Sequence, residues 1–362
     1  MANDRVYNFS AGPSMLPLEV LQRAGAEITN YNGSGMSVME MSHRSKVFQK
    51  IFDETQAKLR KLMNVPEGYK ILFLQGGATM QFGMIPLNLI TKTGKADYAV
   101  TGHFANQAMK EAKKYGTVNI AASSEDKKHI YIPSQDQLKL DPEASYCYYC
   151  SNNTIEGTEW QYVPETGDVP VVCDMSSDIL SRPVDVSKFG LIYAGAQKNM
   201  APAGLTVVII KEDLAGHEMP ITPAIMNYKS MIDKDSMYNT PPCWCIYMLG
   251  LVCDWLESVG GLEGMQKRNV AKADMLYKTL EDTKLFKLSA EPAARSYMNV
   301  TFRTGNDDLD AKFVAESVER GFTNLKGHRS VGGMRASIYN AVPTEGVEAL
   351  CDFIRDFDKK NG

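Results

Sequence analysis

Residues 191–210 read Leu-Ile-Tyr-Ala-Gly-Ala-Gln-Lys-Asn-Met-Ala-Pro-Ala-Gly-Leu-Thr-Val-Val-Ile-Ile. Two apolar runs, Leu191–Tyr193 and Leu205–Ile210, bracket a loop of small residues that carries Lys198. Short runs this apolar predict strands in a sheet covered on both faces. Ile71–Leu74, Tyr98–Val100, Pro170–Cys173 and the Tyr-rich Cys147–Cys150 have the same texture. Helical patterns alternate with them. Val47–Met63 ends at the Pro66-Glu67-Gly68 turn, Met80–Ile90 contains Pro86, and Asn106–Tyr115 closes at Gly116. The alternation predicts an α/β fold with a mostly parallel sheet. It places Lys198 between two strands rather than on a solvated helix face, where most lysines lie.

Working outward, Thr240–Ser258 is an apolar helical stretch that closes at Gly260-Gly261. Beyond it the texture changes to a charged helix at Gly264–Asp282, strands at Met298–Phe302 and Met334–Tyr339, and helices at Asp310–Arg320 and Thr344–Lys360. The expected organisation is a large domain over residues 16–260 and a smaller α+β domain over 261–362, with residues 1–15 packing on the smaller one. A chain of 362 residues suits two domains.

The net charge is −4 and the pI near 5.8, which speaks against a nucleic-acid binder that relies on global basic charge. No stretch nears the ~20 apolar residues of a membrane span. The start shows no charged segment followed by an apolar run, so no signal peptide is expected and the cytoplasm is the expected compartment. Of seven cysteines, Cys147 and Cys150 form a CxxC and Cys243 and Cys245 flank Trp244. Structural zinc needs a second ligand pair at suitable spacing, so ordinary buried thiols and no metal site are expected.

Three features carry chemistry. Gln75-Gly-Gly-Ala-Thr79 follows a strand and opens a helix. It is either a plain tight turn or an anion site, where free N–H groups and the helix dipole meet a phosphate. It matches neither dinucleotide nor P-loop patterns. Asp174 ends the Val171-Val-Cys-Asp174 run, where open α/β sheets bind their ligands. Alone it reads rather as a helix cap or a turn residue. Lys198 has Gly195 and Ala196 beside it, which leaves room for a flat ring. A lysine in such a pocket can lose its proton and form a Schiff base.

Strand-end Asp, strand-end Lys and a strand–Gly-Gly–helix turn are far more specific together than apart. The set resembles the fold-type I pyridoxal-phosphate aminotransferases, and within class V the phosphoserine aminotransferase family. The likeness covers nearly the whole chain. It runs through Asn8-Phe-Ser-Ala-Gly-Pro13, Ser42-His-Arg-Ser45, Gln75-Gly-Gly-Ala78, Ser151-Asn-Asn-Thr-Ile-Glu-Gly157, Cys173-Asp-Met-Ser-Ser177, Gly195-Ala-Gln-Lys-Asn199, Tyr238-Asn-Thr-Pro-Pro242, Gly327-His-Arg329 and Met334-Arg-Ala-Ser-Ile-Tyr-Asn-Ala341.

The resemblance implies pyridoxal 5′-phosphate as cofactor, with Lys198 as the Schiff-base lysine and proton shuttle. Asp174 would pair with the ring nitrogen and Thr154 with the ring oxygen. Gly77, Ala78 and Thr79 would hold the phosphate with Gln197 beside them. Asn239 and Thr240 would reach that phosphate from a second subunit, which implies a homodimer with shared sites. The ring-stacking aromatic, usually Trp in the family, is Phe104 here; it keeps the face and loses the indole N–H. His103 is a second candidate for the stack. Arg335 would take the α-carboxylate. His43, Arg44, His328 and Arg329 would surround the phosphate or distal carboxylate, the last two from the partner subunit.

The implied substrates are glutamate, 3-phosphohydroxypyruvate and O-phosphoserine, in serine biosynthesis. A phosphorylated four-carbon hydroxy amino acid of pyridoxine synthesis, accepted by some relatives, stays open. The alternatives are an alanine- or serine-glyoxylate type aminotransferase, disfavoured by the two cation motifs, and a cofactor-carrying relative without turnover. A cysteine desulfurase would need a nucleophilic cysteine on a late loop, and the only cysteine beyond Cys253 is Cys351, in a helical pattern.

Overall fold

Strands that are apolar on both faces need cover on both faces, and the chain supplies it. The computed structural model describes residues 5–362. Seven strands form the main sheet in the order Tyr69–Leu74, Thr206–Lys211, Leu191–Gly195, Val171–Asp174, Cys147–Cys150, Lys95–Val100 and Thr117–Ser123. Thr206–Lys211 runs antiparallel to both neighbours, and the other pairings are parallel. The sheet is the mostly parallel one the alternation predicts.

Successive strand residues point to opposite faces. Ile71, Phe73, Ile192, Ala194, Val207 and Ile209 therefore enter one core, under helices Lys46–Leu62 and Cys243–Ser258. Leu72, Leu74, Leu191, Tyr193, Val208 and Ile210 enter the other, under helices Gly77–Leu89 and His103–Ala112. Each fully buried large apolar side chain contributes about 1.5–3 kcal/mol, so both layers hold the sheet firmly. A third core joins Phe9 and Met15 to Leu276, Phe302, Phe313 and Ile354. Its sheet is Lys287–Leu288, Asn299–Arg303 and Met334–Ser337, all antiparallel, beside helices Gly261–Glu281 and Thr344–Asn361. Tyr7–Asn8 pairs in parallel with Phe322–Thr323. Of the N-terminal stretch expected to pack there, residues 1–4 lie outside the described residues.

The helices that begin at Lys46, Gly77, His103, Cys243, Gly261 and Asp307 start one to three residues from the sequence reading, and two of these starts shape the site. The expected Met80 start lies at Gly77, because Gly76 adopts a left-handed φ of 88° and turns the chain straight from strand into helix. A Cβ at Gly76 would also strike Met80. This helix runs through Pro86, buried from Gln81 to Leu89, so packing outweighs the lost backbone bond. The expected Asn106 start lies at His103, and that helix ends at Ala112. Its first N–H is capped by the Glu156 carboxylate at 2.9 Å, a partner 53 positions away. The Leu18–Glu27 helix and the edge strand Thr117–Ser123 carried no pattern that the reading picked up.

Cys147 and Cys150 are free and buried. Three positions apart on a strand, they face opposite sides of the sheet and cannot share a ligand. Burial pushes the Cys147 thiol up to about 12. Among the described residues, no single helix is long and apolar enough to cross a membrane.

Candidate active site

The carboxyl ends of the parallel strands bring the chemistry-bearing residues together. Asp174 is the last residue of Val171–Asp174, and Lys198 sits in the turn just after Leu191–Gly195. Thr154 lies in the hairpin closed by Asn152–Asn153 and Thr158–Glu159, just after Cys147–Cys150. Phe104 opens the helix after Lys95–Val100, and Gly76-Gly77 follows Tyr69–Leu74. Arg335 arrives from the C-terminal sheet on Met334–Ser337.

Lys198 Nζ donates to Ser177 Oγ at 2.6 Å and to Thr154 Oγ1 at 2.9 Å. The two hydroxyls are themselves 2.5 Å apart. Among the described residues the amine has no carboxylate partner, and the Phe104 ring centroid lies 5.9 Å from it. The Thr154 carbonyl accepts from Arg335 Nη1 at 3.3 Å. A single residue therefore ties the amine to a guanidinium. Asp174 is 4 % exposed; Oδ1 accepts from the Ser176 backbone N–H at 2.8 Å and Oδ2 from the Tyr193 hydroxyl at 3.0 Å. The Ser14 hydroxyl donates to the Lys198 carbonyl, and Ser14 N donates to the Gln197 carbonyl at 2.9 Å. This lays the N-terminal loop against the lysine turn.

The electrostatics around Arg335 are unbalanced. Its Nε is buried with no partner among the described residues. Burial works against its charge, and Tyr339 and Glu156 oppose that. Glu156 caps the Phe104 helix with Oε1, while its buried Oε2 has no partner. Burial pushes its carboxyl up, and the His103 N–H and Arg335 pull it back. Gly102 is needed for this contact: a Cβ there would lie 2.8 Å from Glu156 Oε2 and 2.6 Å from Asn153 Oδ1.

The His328 ring centroid lies 5.9 Å from that of His103 in the same chain. Burial lowers its pKa, and Arg335, His103 and Arg329 lower it further. The Gly327–Gly333 loop that carries it folds back from the Arg335 strand, Gly327 N donating to the Gly333 carbonyl at 2.8 Å. Arg329 is exposed on the same loop. His103 turns toward His328, so Phe104 is the ring that faces the lysine. His43 and Arg44 lie before helix Lys46–Leu62, with Arg44 exposed; no hydrogen bond or ion pair of the described residues links either to Lys198. Asn239 Nδ2 donates to Gln75 Oε1 at 2.8 Å, beside its own chain's Gly-Gly turn, and Thr240 is exposed next to it.

Ser177, Tyr193 and Glu156 are the site neighbours that sequence reasoning left without a role. Ser177 and Glu156 lie inside stretches already singled out, so their sequence proximity to Asp174 and Thr154 was the available signal.

The donor set fits pyridoxal phosphate. The amine at Lys198 suits an aldehyde, and the buried Asp174 carboxylate suits a protonated ring nitrogen. The Thr154 and Ser177 hydroxyls suit the ring oxygen. Free N–H groups at Gly77–Thr79, on a 13-residue helix, suit a phosphate. The unpartnered Arg335 Nε suits a substrate carboxylate.

Residues 6–350 match the sequence model of the class V aminotransferases. A phosphoserine aminotransferase from Pseudomonas aeruginosa is 52% identical over 358 residues, covering 99% of both chains. The solved structure of phosphoserine aminotransferase from Bacillus circulans subsp. alkalophilus superposes with a TM-score of 0.97 at 48% identity, covering 99% of this chain and 100% of the other. A pyridoxal-phosphate-bound phosphoserine aminotransferase from Trichomonas vaginalis gives 0.93 at 42%, covering 97% of this chain and all of its own. Full-length likeness of this degree, together with the converging strand ends, settles the family: the chain belongs to the class V aminotransferases, among the phosphoserine aminotransferases.

Proposed function

We infer that this chain catalyses reversible amino transfer from glutamate to 3-phosphohydroxypyruvate, giving 2-oxoglutarate and O-phosphoserine in serine biosynthesis. One observation carries the reading beyond the family. Thr154 accepts from Lys198 Nζ through its hydroxyl and from Arg335 through its carbonyl. The reacting amine and the carboxylate reader are thus held at a fixed spacing, as an α-amino acid requires.

When bound, pyridoxal phosphate supplies an aldehyde for the amino group and a cationic ring that withdraws electrons from the α-carbon. Lys198 then has two tasks in our proposal. Its amine would hold the cofactor covalently, and its Nζ would carry the proton off the substrate α-carbon. Ser177 and Thr154 orient Nζ for both tasks. Asp174 would keep the ring nitrogen protonated, Phe104 would stack on the ring, and Gly77, Ala78, Thr79 and Gln197 would hold the phosphate. Arg335 grips the α-carboxylate through its unpartnered edge. His328 and Arg329 meet the distal phosphate or carboxylate. Burial, with Arg335, His103 and Arg329 nearby, lowers the His328 pKa, and a doubly charged anion would favour its protonated form.

We propose that the enzyme works as a homodimer in the cytoplasm, with His328 and Arg329, and the Asn239-Thr240 pair, supplied across the interface. We also propose residues 16–260 and 261–362 as its two domains, with the N-terminal residues on the second; the third core, which unites Phe9 and Met15 with C-terminal residues, supports this. Half-reaction titration tests the function. Glutamate and O-phosphoserine should each convert the visible absorbance of the yellow holoenzyme, alanine should do so at least tenfold less effectively, and Arg335→Ala should weaken both good substrates. Equal response to alanine and O-phosphoserine would refute it.

A further inference from the structure

We propose that Tyr193 and Tyr148 are positioning residues for the cofactor ring: a directed chain of two hydroxyls that fixes Asp174 as an oriented anion. The inference rests on the reading that Asp174 meets the ring nitrogen. The Tyr193 hydroxyl lies 3.0 Å from Asp174 Oδ2, and the Tyr148 hydroxyl lies 2.8 Å from that of Tyr193. Tyr148 and Tyr193 are each 0 % exposed.

The direction of the chain follows from chemistry. A carboxylate only accepts hydrogen bonds, so Tyr193 donates to Asp174. With its one proton so used, Tyr193 can only accept from Tyr148, which must donate. Both O–H dipoles then point at the carboxylate, and each bond polarises the next. Burial raises both tyrosine pKa values, so both remain donors. The other carboxylate oxygen is held by the Ser176 N–H at 2.8 Å. That leaves Asp174 a defined orientation and lone pairs aimed away from these donors. The tyrosines come from two neighbouring positions in the sheet, one strand on either side of the strand that ends in Asp174. Strand register therefore sets the chain, and no flexible loop is involved.

The test uses holoenzyme of Tyr193→Phe, Tyr148→Phe and the double variant. Cofactor retention is read by dilution and absorbance, alongside kcat and a thermal melt of each protein. Tyr193→Phe should loosen pyridoxal phosphate by about tenfold, the worth of one charge-assisted hydrogen bond. Tyr148→Phe should loosen it by about threefold, because it acts only through Tyr193. The double variant should equal Tyr193→Phe alone. The deaza analogue, with carbon in place of the ring nitrogen, should be retained equally by wild type and Tyr193→Phe. A tenfold loss with the deaza analogue as well would make Tyr193 merely structural. Additive losses in the double variant would overturn the chain, as would unchanged retention in both single variants. A wild type that forms no borohydride-reducible adduct at all would instead refute the cofactor reading of the site.

Discussion

Two lysines in this protein lie out of bulk water in opposite settings. Lys198 is half-buried at a strand end, and its Nζ rests on two side-chain hydroxyls. Lys272 is 2 % exposed on helix Gly261–Glu281, and its Nζ donates to the carbonyls of Ile338, Tyr339 and Val342 at 3.0, 2.8 and 3.0 Å. Neither amine has a carboxylate partner among the described ion pairs. The difference is in what can be exchanged. Hydroxyls both donate and accept, so they can follow an amine as it gains or loses a proton or a bond. Carbonyls only accept. Three of them match the three N–H bonds of an ammonium and offer no second arrangement. Lys198 is built to change partner and Lys272 to keep it.

Substitution at each position should break the pair in opposite ways. Lys198→Ala should abolish the borohydride-reducible adduct and cut turnover by about 10⁴-fold or more. Its stability should change by less than about 1 kcal/mol, because Thr154 and Ser177 remain bonded to each other. Lys272→Met should leave the reducible adduct on Lys198 intact. Peptide mapping after reduction decides the matter: an adduct on Lys272 in the Lys198→Ala protein would void the comparison.

Stability should reverse the ranking. Lys272→Met removes three buried hydrogen bonds, leaving the Tyr339 carbonyl only the Val342 N–H at 3.0 Å, and should cost about 3 kcal/mol in chemical denaturation. Those carbonyls belong to the segment that follows the Arg335 strand. From it, Tyr339 donates to the Ala11 carbonyl at 3.0 Å, and Asn340 N donates to Asn199 Oδ1, next to Lys198, also at 3.0 Å. Loosening Lys272 should therefore raise KM for glutamate more than it lowers kcat. A variant as stable as wild type would mean that the carbonyl cage carries no weight.

What could be read in advance follows the same division between local and distant. The buried strands, the Gly-Gly turn and the Lys198 loop write their signatures within a few residues, and each lies where the pattern puts it. The Phe104 helix start depends on Glu156, from another strand connection, and no window around His103 contains that information. Thr154 joins Lys198 to Arg335 partly through a backbone carbonyl, which every residue has. The chain position of His328 says nothing about its meeting with His103; the fold-back of its loop brings the two rings together. Lys272 has the sequence of an ordinary charged-helix residue, and only the return of the 338–342 segment buries it.

The subtlest difference between the lysines is in their titration. Burial, with the nearby charge of Arg268, pushes the Lys272 amine down to about 7 from its usual 10.5. Its ammonium is then disfavoured in the folded state relative to the unfolded one. Between pH 7 and 10.5 the unfolded chain binds the extra proton, so stability should rise with pH over that window and level off above it. The slope is at most about 1.4 kcal/mol per pH unit, and the three carbonyls reduce it by favouring the charged form. Lys272→Met removes the titration, so wild type minus variant isolates it from every other group. Denaturation of both proteins at pH 7, 8.5 and 9.5 gives that difference. A positive slope means a lysine buried against its charge. A flat line means that the carbonyl cage holds the ammonium fully charged, as firmly fixed in protonation as it is in position, and the contrast with Lys198 becomes sharper still.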